Sequence, residues 1–244
     1  MKIYAVGIGP GGRDLLTPRS KEALQSSDII IGHAPYISQI EDLIENKTII
    51  SSGMRREIER CEEAIKKAEE GHIVAVVSSG DAGIYGMGGL LLELASEKKV
   101  KIEIEILPGI TAANGAASVL GAPLMNDFAV ISLSDLLTPI EVIRKRITKI
   151  AEADLVCVLY NPSSRKRKEL IQEVISEICE VRTREIVCGI VKNATRTNEE
   201  KWIGTISDFP FEMLDMSSVV IIGNSQTTII DNKMITSRGY KISR

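Results

Sequence analysis

Short apolar runs recur in the first half of the chain, at residues 3–6, 29–31, 48–50, 73–77 and, interrupted by Glu103 and Glu105, 102–107. Apolar runs of this length suit buried strands, as in a parallel sheet flanked by helices. Between them the apolar positions move to helical spacing. Residues 18–26 follow Thr17, a hydroxyl residue suited to cap a helix, with Pro18 at the first helical position. Residues 54–70 carry Ile58, Cys61, Ala64, Ile65 and Ala68 at helical spacing. Strands alternating with helices predict an α/β layer built on a largely parallel sheet.

The stretch GAASVLGAPLMND, residues 115–127, begins with helix-compatible small residues and breaks at Gly121 and Pro123. A domain boundary is expected there, with an N-terminal α/β domain over 1–120, a linker over 121–126 and a C-terminal α/β domain over 127–244. The second domain repeats the alternation: strand 129–133, helix 140–151, strand 155–160, helix 165–179, strand 186–191, then strand-like 201–205 and 219–222. Residues 228–244 read as a short hairpin or loose strand. Two units of about 120 residues each fall within ordinary domain size. The cleft between two such units is the expected ligand site.

Composition adds exclusions. Apolar residues make up 44% of the chain, charged residues 26% and aromatics 4%, which describes a globular protein with an aliphatic core. Thirty Lys and Arg against 33 Asp and Glu give a formal charge of -3, so no basic field recruits nucleic acid or an acidic membrane. An anionic ligand must then be met by local positive charge. The opening IYAVGIG is a predicted strand without the basic region and apolar run of a signal segment, and no apolar stretch has the length of a spanning helix. A cytoplasmic protein is expected. Cys61, Cys157, Cys179 and Cys188 form no C-x-x-C, and His33 and His72 are the only histidines, so no metal-site spacing exists and no protein-bound metal is expected.

Gly7, Gly9 and Gly12 match G-x-G-x-x-G after the first predicted strand. In a dinucleotide site these glycines sit where the helix begins, so that its free N–H groups reach the pyrophosphate, and a carboxylate about 20 residues on holds the ribose. Here Thr17 and Pro18 start the helix late, and Pro10 removes an N–H from the turn. The second strand ends in Gly32 and His33, with no carboxylate. No Gly-Lys-Ser/Thr follows, so a Walker-type loop is excluded as well. What remains is a loop whose glycines let backbone approach a ligand or another segment closely.

Four further glycine-rich or polar clusters follow predicted strands: SSGDAGIYGMGG (78–89), LPGITAANGAA (107–117), LYNPSSRKRKE (159–169) and VKNATRTNE (191–199). Several such clusters suggest a lined pocket at the carboxyl ends of the strands. Asp81, after Gly80, is placed either to hold a cation or ribose or to cap the following turn. Thr111 is placed to cap the small-residue helix AANGAAS. The run Arg165, Lys166, Arg167, Lys168 reads first as a solvated helix face.

These clusters, in this order, resemble the tetrapyrrole (corrin/porphyrin) methyltransferase family. The resemblance rests on GIGPGGRDLLTP, SSGDAGIYGM, PGITAANGAASVLGAPL, VLYNP, GIVKNATR and VVIIGNSQT, and so covers nearly the whole chain. Within the family, NDFAVISLSDLLTP, VLYNPSSRKR and IIGNSQT are similar to the branch that methylates C-17 of precorrin-3B or cobalt-factor III with ring contraction, in cobalamin biosynthesis. The resemblance implies two α/β domains with S-adenosylmethionine in the cleft between them, release of S-adenosylhomocysteine, a tetrapyrrole substrate, and a homodimer. Carried over by motif, the cofactor contacts are Pro10, Gly80, Asp81, Ala82, Ile84, Thr111 and Ala112, joined by Tyr160, Asn161 and Ala194. Many relatives have a carboxylate at the position of Gly12 and Pro at that of Ala82. Any role of that carboxylate is lost here, and the second change matters little for a backbone contact.

Methyl transfer from a sulfonium asks chiefly for alignment in a site with little water, and needs no strong base. Ring contraction also needs proton movement. Asp81, Asp127, Ser132, Ser134, Asp135 and Thr138 are the candidates for it; Thr138 and Pro139 read alternatively as the cap and first residue of the next helix. The substrate's carboxylates call for cations, and Arg13, Arg55, Arg56, Lys192 and Arg196 lie in the predicted loops. The competing readings are another corrin-ring methyltransferase, a relative acting on RNA or a modified histidine, a dinucleotide-dependent oxidoreductase, and a ligand-binding module.

Overall fold

A computed structural model describes residues 1–163 and 169–240. The basic run Arg165 to Lys168 lies outside the described residues. The chain divides into two compact units, Met1–Ala112 and Ala113–Arg244. The division falls ahead of the expected linker at 121–126, so the small-residue helix goes with the second unit.

The first unit contains β1 (Lys2–Gly7), α1 (Pro18–Ser26), β2 (Ile29–His33), α2 (Ala34–Ile37), β3 (Thr48–Ser52), α3 (Glu57–Glu69), β4 (Ile73–Ser78), α4 (Gly88–Glu97) and β5 (Glu103–Leu107). Its sheet has the order β3-β2-β4-β1-β5, and every pairing is parallel. Alternate residues of each apolar run point to opposite faces. Ile3, Ala5, Ile29, Ile31, Val74 and Val76 pack under α3 and α4. Tyr4, Val6, Ile30, Ala75 and Val77 pack against α1 and α2. Burial on both faces is why β1, β2 and β4 read as continuous apolar runs, whereas the edge strands β3 and β5 are partly exposed. The start of α1 is set as its sequence predicts: Thr17 Oγ1 accepts the Ser20 N–H at 3.1 Å, and Pro18 occupies the first turn.

The second unit contains α5 (Ala112–Leu120), whose first residue ends the first unit, then β6 (Gly121–Ala122), β7 (Phe128–Ser132), α6 (Ile140–Glu152), β8 (Val156–Tyr160), α7 (Leu170–Val181), β9 (Val187–Lys192), β10 (Glu200–Thr205), β11 (Ser218–Ile222) and the hairpin β12 (Thr227–Ile230) with β13 (Lys233–Thr236). The main sheet has the order β10-β9-β11-β8-β7. Only β7 and β8 pair in parallel; β11 lies antiparallel to both β8 and β9, and β10 antiparallel to β9. The expectation of a largely parallel sheet therefore holds in the first unit and fails in the second. The connection at residues 193–199 is too short for the crossover that a parallel neighbour needs, so β10 must return alongside β9. Cys157, Leu159, Cys188, Ile190, Val220 and Ile222 pack on one face against α6 and α7. On the other face Leu120 of α5 closes on β9, where a Cβ at Gly189 would lie 2.7 Å from the leucine Cδ1. The tail forms the hairpin, with β13 also pairing to β6 in parallel.

Arg182 follows α7 and is 6% exposed at its side chain. Its guanidinium donates to the carbonyls of Ala151, Ile150, Leu155 and Gly223 at 2.8–3.1 Å, joining the end of α6 to the end of β11. Among the described residues no helix is long and apolar enough to cross a membrane.

Candidate active site

Parallel strands leave their carboxyl ends along one sheet edge, and the loops that follow gather there. In the first unit β4, β1 and β5 are neighbours, so the loops that begin at Ile8, Ser79 and Pro108 start side by side. Gly9 and Gly80 exchange backbone hydrogen bonds of 3.0 and 2.8 Å. Both have positive φ, +78° and +69°, a region that favours glycine. Gly109 is packed closer still: a Cβ there would lie 2.1 Å from the Gly80 carbonyl oxygen and 2.8 Å from the Gly7 carbonyl carbon. The opening glycines therefore serve backbone-to-backbone contact between loops, and Pro10 is buried next to that contact.

The Asp81 carboxylate binds backbone on two loops. Its Oδ1 accepts the N–H groups of Gly83 at 2.7 Å and Ile84 at 3.0 Å, and Oδ2 accepts that of Gly109 at 2.9 Å. Ala82 is buried and its carbonyl accepts the Gly88 N–H at 2.9 Å, while Ser78 Oγ accepts that of Met87 at 3.1 Å. The loop so turns back into α4 and leaves Ile84 and Tyr85 exposed. A Cβ at Gly80 would lie 3.6 Å from the Ala112 nitrogen and 3.7 Å from the Thr111 Cα. Pro10, Gly80, Asp81, Ala82, Ile84, Thr111 and Ala112 are thus brought together on these adjoining loops.

In the second unit the same logic survives the antiparallel pairing. Because β11 opposes both β8 and β9, those two strands run the same way as β7, and Ser132, Tyr160 and Lys192 all lie at strand ends on one edge. Ser132 is in register with Tyr160, and its hydroxyl accepts from the Asn161 side chain at 3.0 Å and from the Ser134 N–H at 3.2 Å. The Tyr160 hydroxyl accepts the N–H of Ala113 in the first turn of α5 at 2.6 Å. Asn161, Asn193 and Thr195 have positive φ; asparagine tolerates this region, whereas for β-branched Thr195, at +64°, it is an outlier. Ala194 between the latter two is buried.

Asp127 is not brought to the same edge as Ser132, and the alternative reading of Thr138 as a helix cap is corrected. Asp127 precedes β7 whereas Ser132 ends it, which separates them by about 16 Å of strand. Asp127 sits at the opposite edge, where its carbonyl accepts the Val156 N–H. Thr138 caps no helix: α6 begins after Pro139, whose own carbonyl accepts the Val142 and Ile143 N–H groups, with no side-chain cap bond. Asp135 is exposed in the turn that follows β7, beside the exposed Leu136 and Leu137.

The candidate cations are mostly engaged. Arg13 pairs with Asp42, and Arg56 with Glu59. Lys192 lies 3.3 Å from Asp215 and 3.5 Å from Glu200. Donating a hydrogen bond to Asp215 raises the Lys192 ammonium above its ordinary value, with the charges of both carboxylates adding to it. Burial pushes the Asp215 carboxyl up, but bonds from Ser217, Lys192 and Ser218 outweigh it and hold the group below the usual carboxylate range. Arg55 is exposed on a turn with φ +64°, and Arg196 is half-buried with its N–H on the Asn193 carbonyl. Arg55 and Arg56 follow β3, three strands from β1, so the ends of the strands that their loop and the Arg13 loop follow lie about 14 Å apart across the sheet.

Sequence reasoning missed Arg60. It is buried on α3 and donates to Ser52 Oγ at 3.0 Å, to the Gly53 carbonyl at 2.8 Å and to Glu57 at 3.0 Å, so it shapes the turn that carries Arg55 and Arg56. Its signal was present: Arg60 falls four residues before Ala64, on the apolar face of the helix. The cysteines offer no thiolate, since burial pushes Cys61, Cys157 and Cys188 up to about 12. Among the described residues no group of His, Cys, Asp and Glu has the makings of a metal site.

Residues 2–210 match the family model described as Tetrapyrrole (Corrin/Porphyrin) Methylases. The chain is 48% identical over 240 residues to a probable cobalt-factor III C(17)-methyltransferase of Salmonella typhimurium, a match that covers 98% of this chain and 100% of the relative. It is 33% identical over 232 residues to a precorrin-3B C(17)-methyltransferase of Sinorhizobium, covering 94% of this chain and 91% of that one. Among solved structures it is similar to the methyltransferase CobJ, with a TM-score of 0.92, 34% identity, and coverage of 97% of this chain and 99% of that one.

Proposed function

The chain belongs to the tetrapyrrole (corrin/porphyrin) methylase family, and we propose that it moves a methyl group from S-adenosylmethionine to C-17 of a ring-contracting corrinoid precursor, in cobalamin biosynthesis. The observation that carries this reading is the meeting of Pro10, Gly80, Asp81, Ala82, Ile84, Thr111 and Ala112 on adjoining backbone-packed loops, in a chain that matches the C(17)-methyltransferases over nearly its full length. Of the two acceptors, cobalt-factor III is favoured: identity to the cobalt-factor enzyme is 48%, against 33% to the precorrin-3B enzyme. Cobalt then arrives as part of the substrate.

The transfer is a displacement at carbon. The macrocycle carbon supplies the electron pair of the new C–C bond, the methyl–sulfur bond breaks, and its electrons return to sulfur to leave neutral S-adenosylhomocysteine. Rigid loops suit this step, because alignment rather than a base controls its rate. The cofactor contacts assigned to the second unit are Tyr160, Asn161 and Ala194. For the proton movement of contraction the candidates are Asp81, Asp127, Ser132, Ser134, Asp135 and Thr138; Ser132 ends β7, and Ser134, Asp135 and Thr138 follow it ahead of α6. Arg13, Arg55, Arg56, Lys192 and Arg196 are the cations assigned to substrate carboxylates. By resemblance the enzyme is read as a cytoplasmic homodimer.

The test is an anaerobic incubation of the purified protein with S-adenosylmethionine and either cobalt-factor III or precorrin-3B, followed by mass spectrometry and absorption spectroscopy. Gain of one methyl on cobalt-factor III, with the spectral change of a contracted ring, is the expected result. Gain on precorrin-3B alone reverses the choice of acceptor. No gain on either, with S-adenosylhomocysteine still bound, refutes the C-17 assignment.

A further inference from the structure

Asp81 was a candidate both for cofactor contact and for proton transfer. Its surroundings favour a different role. The two carboxylate oxygens accept three backbone N–H groups, from Gly83, Ile84 and Gly109, which leaves about one of the roughly four acceptor positions of a carboxylate. The first two bonds close a turn within its own loop. The third spans 28 residues to the loop after β5.

That third bond sits at the most crowded backbone contact on this edge. A Cβ at Gly7 would lie 2.6 Å from the Gly109 nitrogen, and one at Gly109 would lie 2.1 Å from the Gly80 oxygen. The loops after β1 and β4 are tied by the paired bonds of Gly9 and Gly80. The Asp81 carboxylate extends the tie to the loop after β5, which leads into Thr111 and Ala112. We propose that Asp81 is a positioning residue: its carboxylate locks the loop after β4 to the loop after β5, and so sets the spacing of the backbone surface that holds the methyl donor. This inference rests on reading these loops as the cofactor site.

The role demands acceptors at both oxygens, and that makes it separable. In Asp81→Asn the side chain keeps its size, and its oxygen continues to close the turn at Gly83 and Ile84. Its NH2 then faces the Gly109 N–H, donor against donor, and the tie between loops is lost. Titration calorimetry with S-adenosylhomocysteine is expected to show an affinity lower by roughly tenfold to a hundredfold. Amide exchange should quicken at Gly109 while Ile84 stays protected, and KM for S-adenosylmethionine should rise by more than kcat falls. Should the Asn variant prove unstable, Asp81→Ser keeps a short acceptor for the turn and presents nothing to Gly109, with the same readouts. Wild-type affinity for S-adenosylhomocysteine in the variants overturns the proposal, whether turnover is lost, which would return Asp81 to proton transfer, or retained. If the wild-type protein itself fails to bind S-adenosylhomocysteine, it is the reading of the loops as the cofactor site that fails.

Discussion

Replacing Tyr160 with Phe removes one hydroxyl and nothing else, and the structure says where the loss falls. That oxygen accepts the Ala113 N–H at 2.6 Å. Ala113 is 1% exposed, in the first turn of α5, where backbone N–H groups have no partner within the helix. Water cannot easily take over. A buried N–H left without an acceptor costs about 1–3 kcal/mol, more than the net worth of an ordinary hydrogen bond. For a chain of this size each kcal/mol lowers the melting temperature by roughly 2–4 °C. Tyr160→Phe is therefore expected to lower stability by about 1–3 kcal/mol in urea titration, with the slope unchanged. S-adenosylhomocysteine affinity, measured on the same sample, separates two uses of the hydroxyl. A pin for α5 predicts the stability loss whatever the affinity does. A contact made only to the cofactor predicts weaker binding with stability intact. A variant within about 0.5 kcal/mol of wild type would refute the pin.

Arg182→Met keeps an unbranched stem and strips the donors from the carbonyls of Ile150, Ala151, Leu155 and Gly223; a buried carbonyl left without a donor costs about 1–3 kcal/mol, so a clearly lower urea midpoint is expected. The pH response at the sheet edge has a definite sign. Asp215 has a lowered folded value, so its contribution to stability is complete above the ordinary carboxylate range near 3.8 and is lost as pH falls through the depressed one, whereas Lys192, raised above 10.5, contributes fully below that value and loses its share as pH rises through the folded one. Asp215→Asn should flatten the acid side of the stability profile and, by removing the main partner of Lys192, the alkaline side as well; an unchanged acid limb in urea titrations across pH would count against the network.

The elements were legible where local chemistry decided them. Thr17 and Pro18 set the start of α1, and the apolar runs of the first unit follow from burial on both sides of one parallel sheet. Strand direction in the second unit was not legible from those runs, since a strand buried on both faces looks the same to its neighbours whichever way it points. The length of the 193–199 connection was the signal available. Charge partners were equally hidden: Arg13 meets Asp42, and Lys192 meets Asp215, across distances in sequence that no periodicity reports. A cation in a predicted site loop is thus weak evidence for a bound anion until its carboxylate neighbours are known.

Why the candidate loops nevertheless converge in a sheet whose direction was misread follows from parity. Inserting β11 between β8 and β9 reverses direction twice, so the strands on either side of it remain parallel to each other and to β7. Their carboxyl ends stay on one edge. The clusters VLYNP and VKNAT were placed there by the order of strand and helix along the chain, β7-α6-β8-α7-β9, which is the same alternation that builds the first unit. The reversed strands β10 and β11 come after that alternation is complete, and add to the sheet without moving its loop edge. The glycine and polar clusters therefore carried more information about the site than the sheet type inferred around them, because a loop's position depends on the strand it follows and not on the strand that pairs beside it.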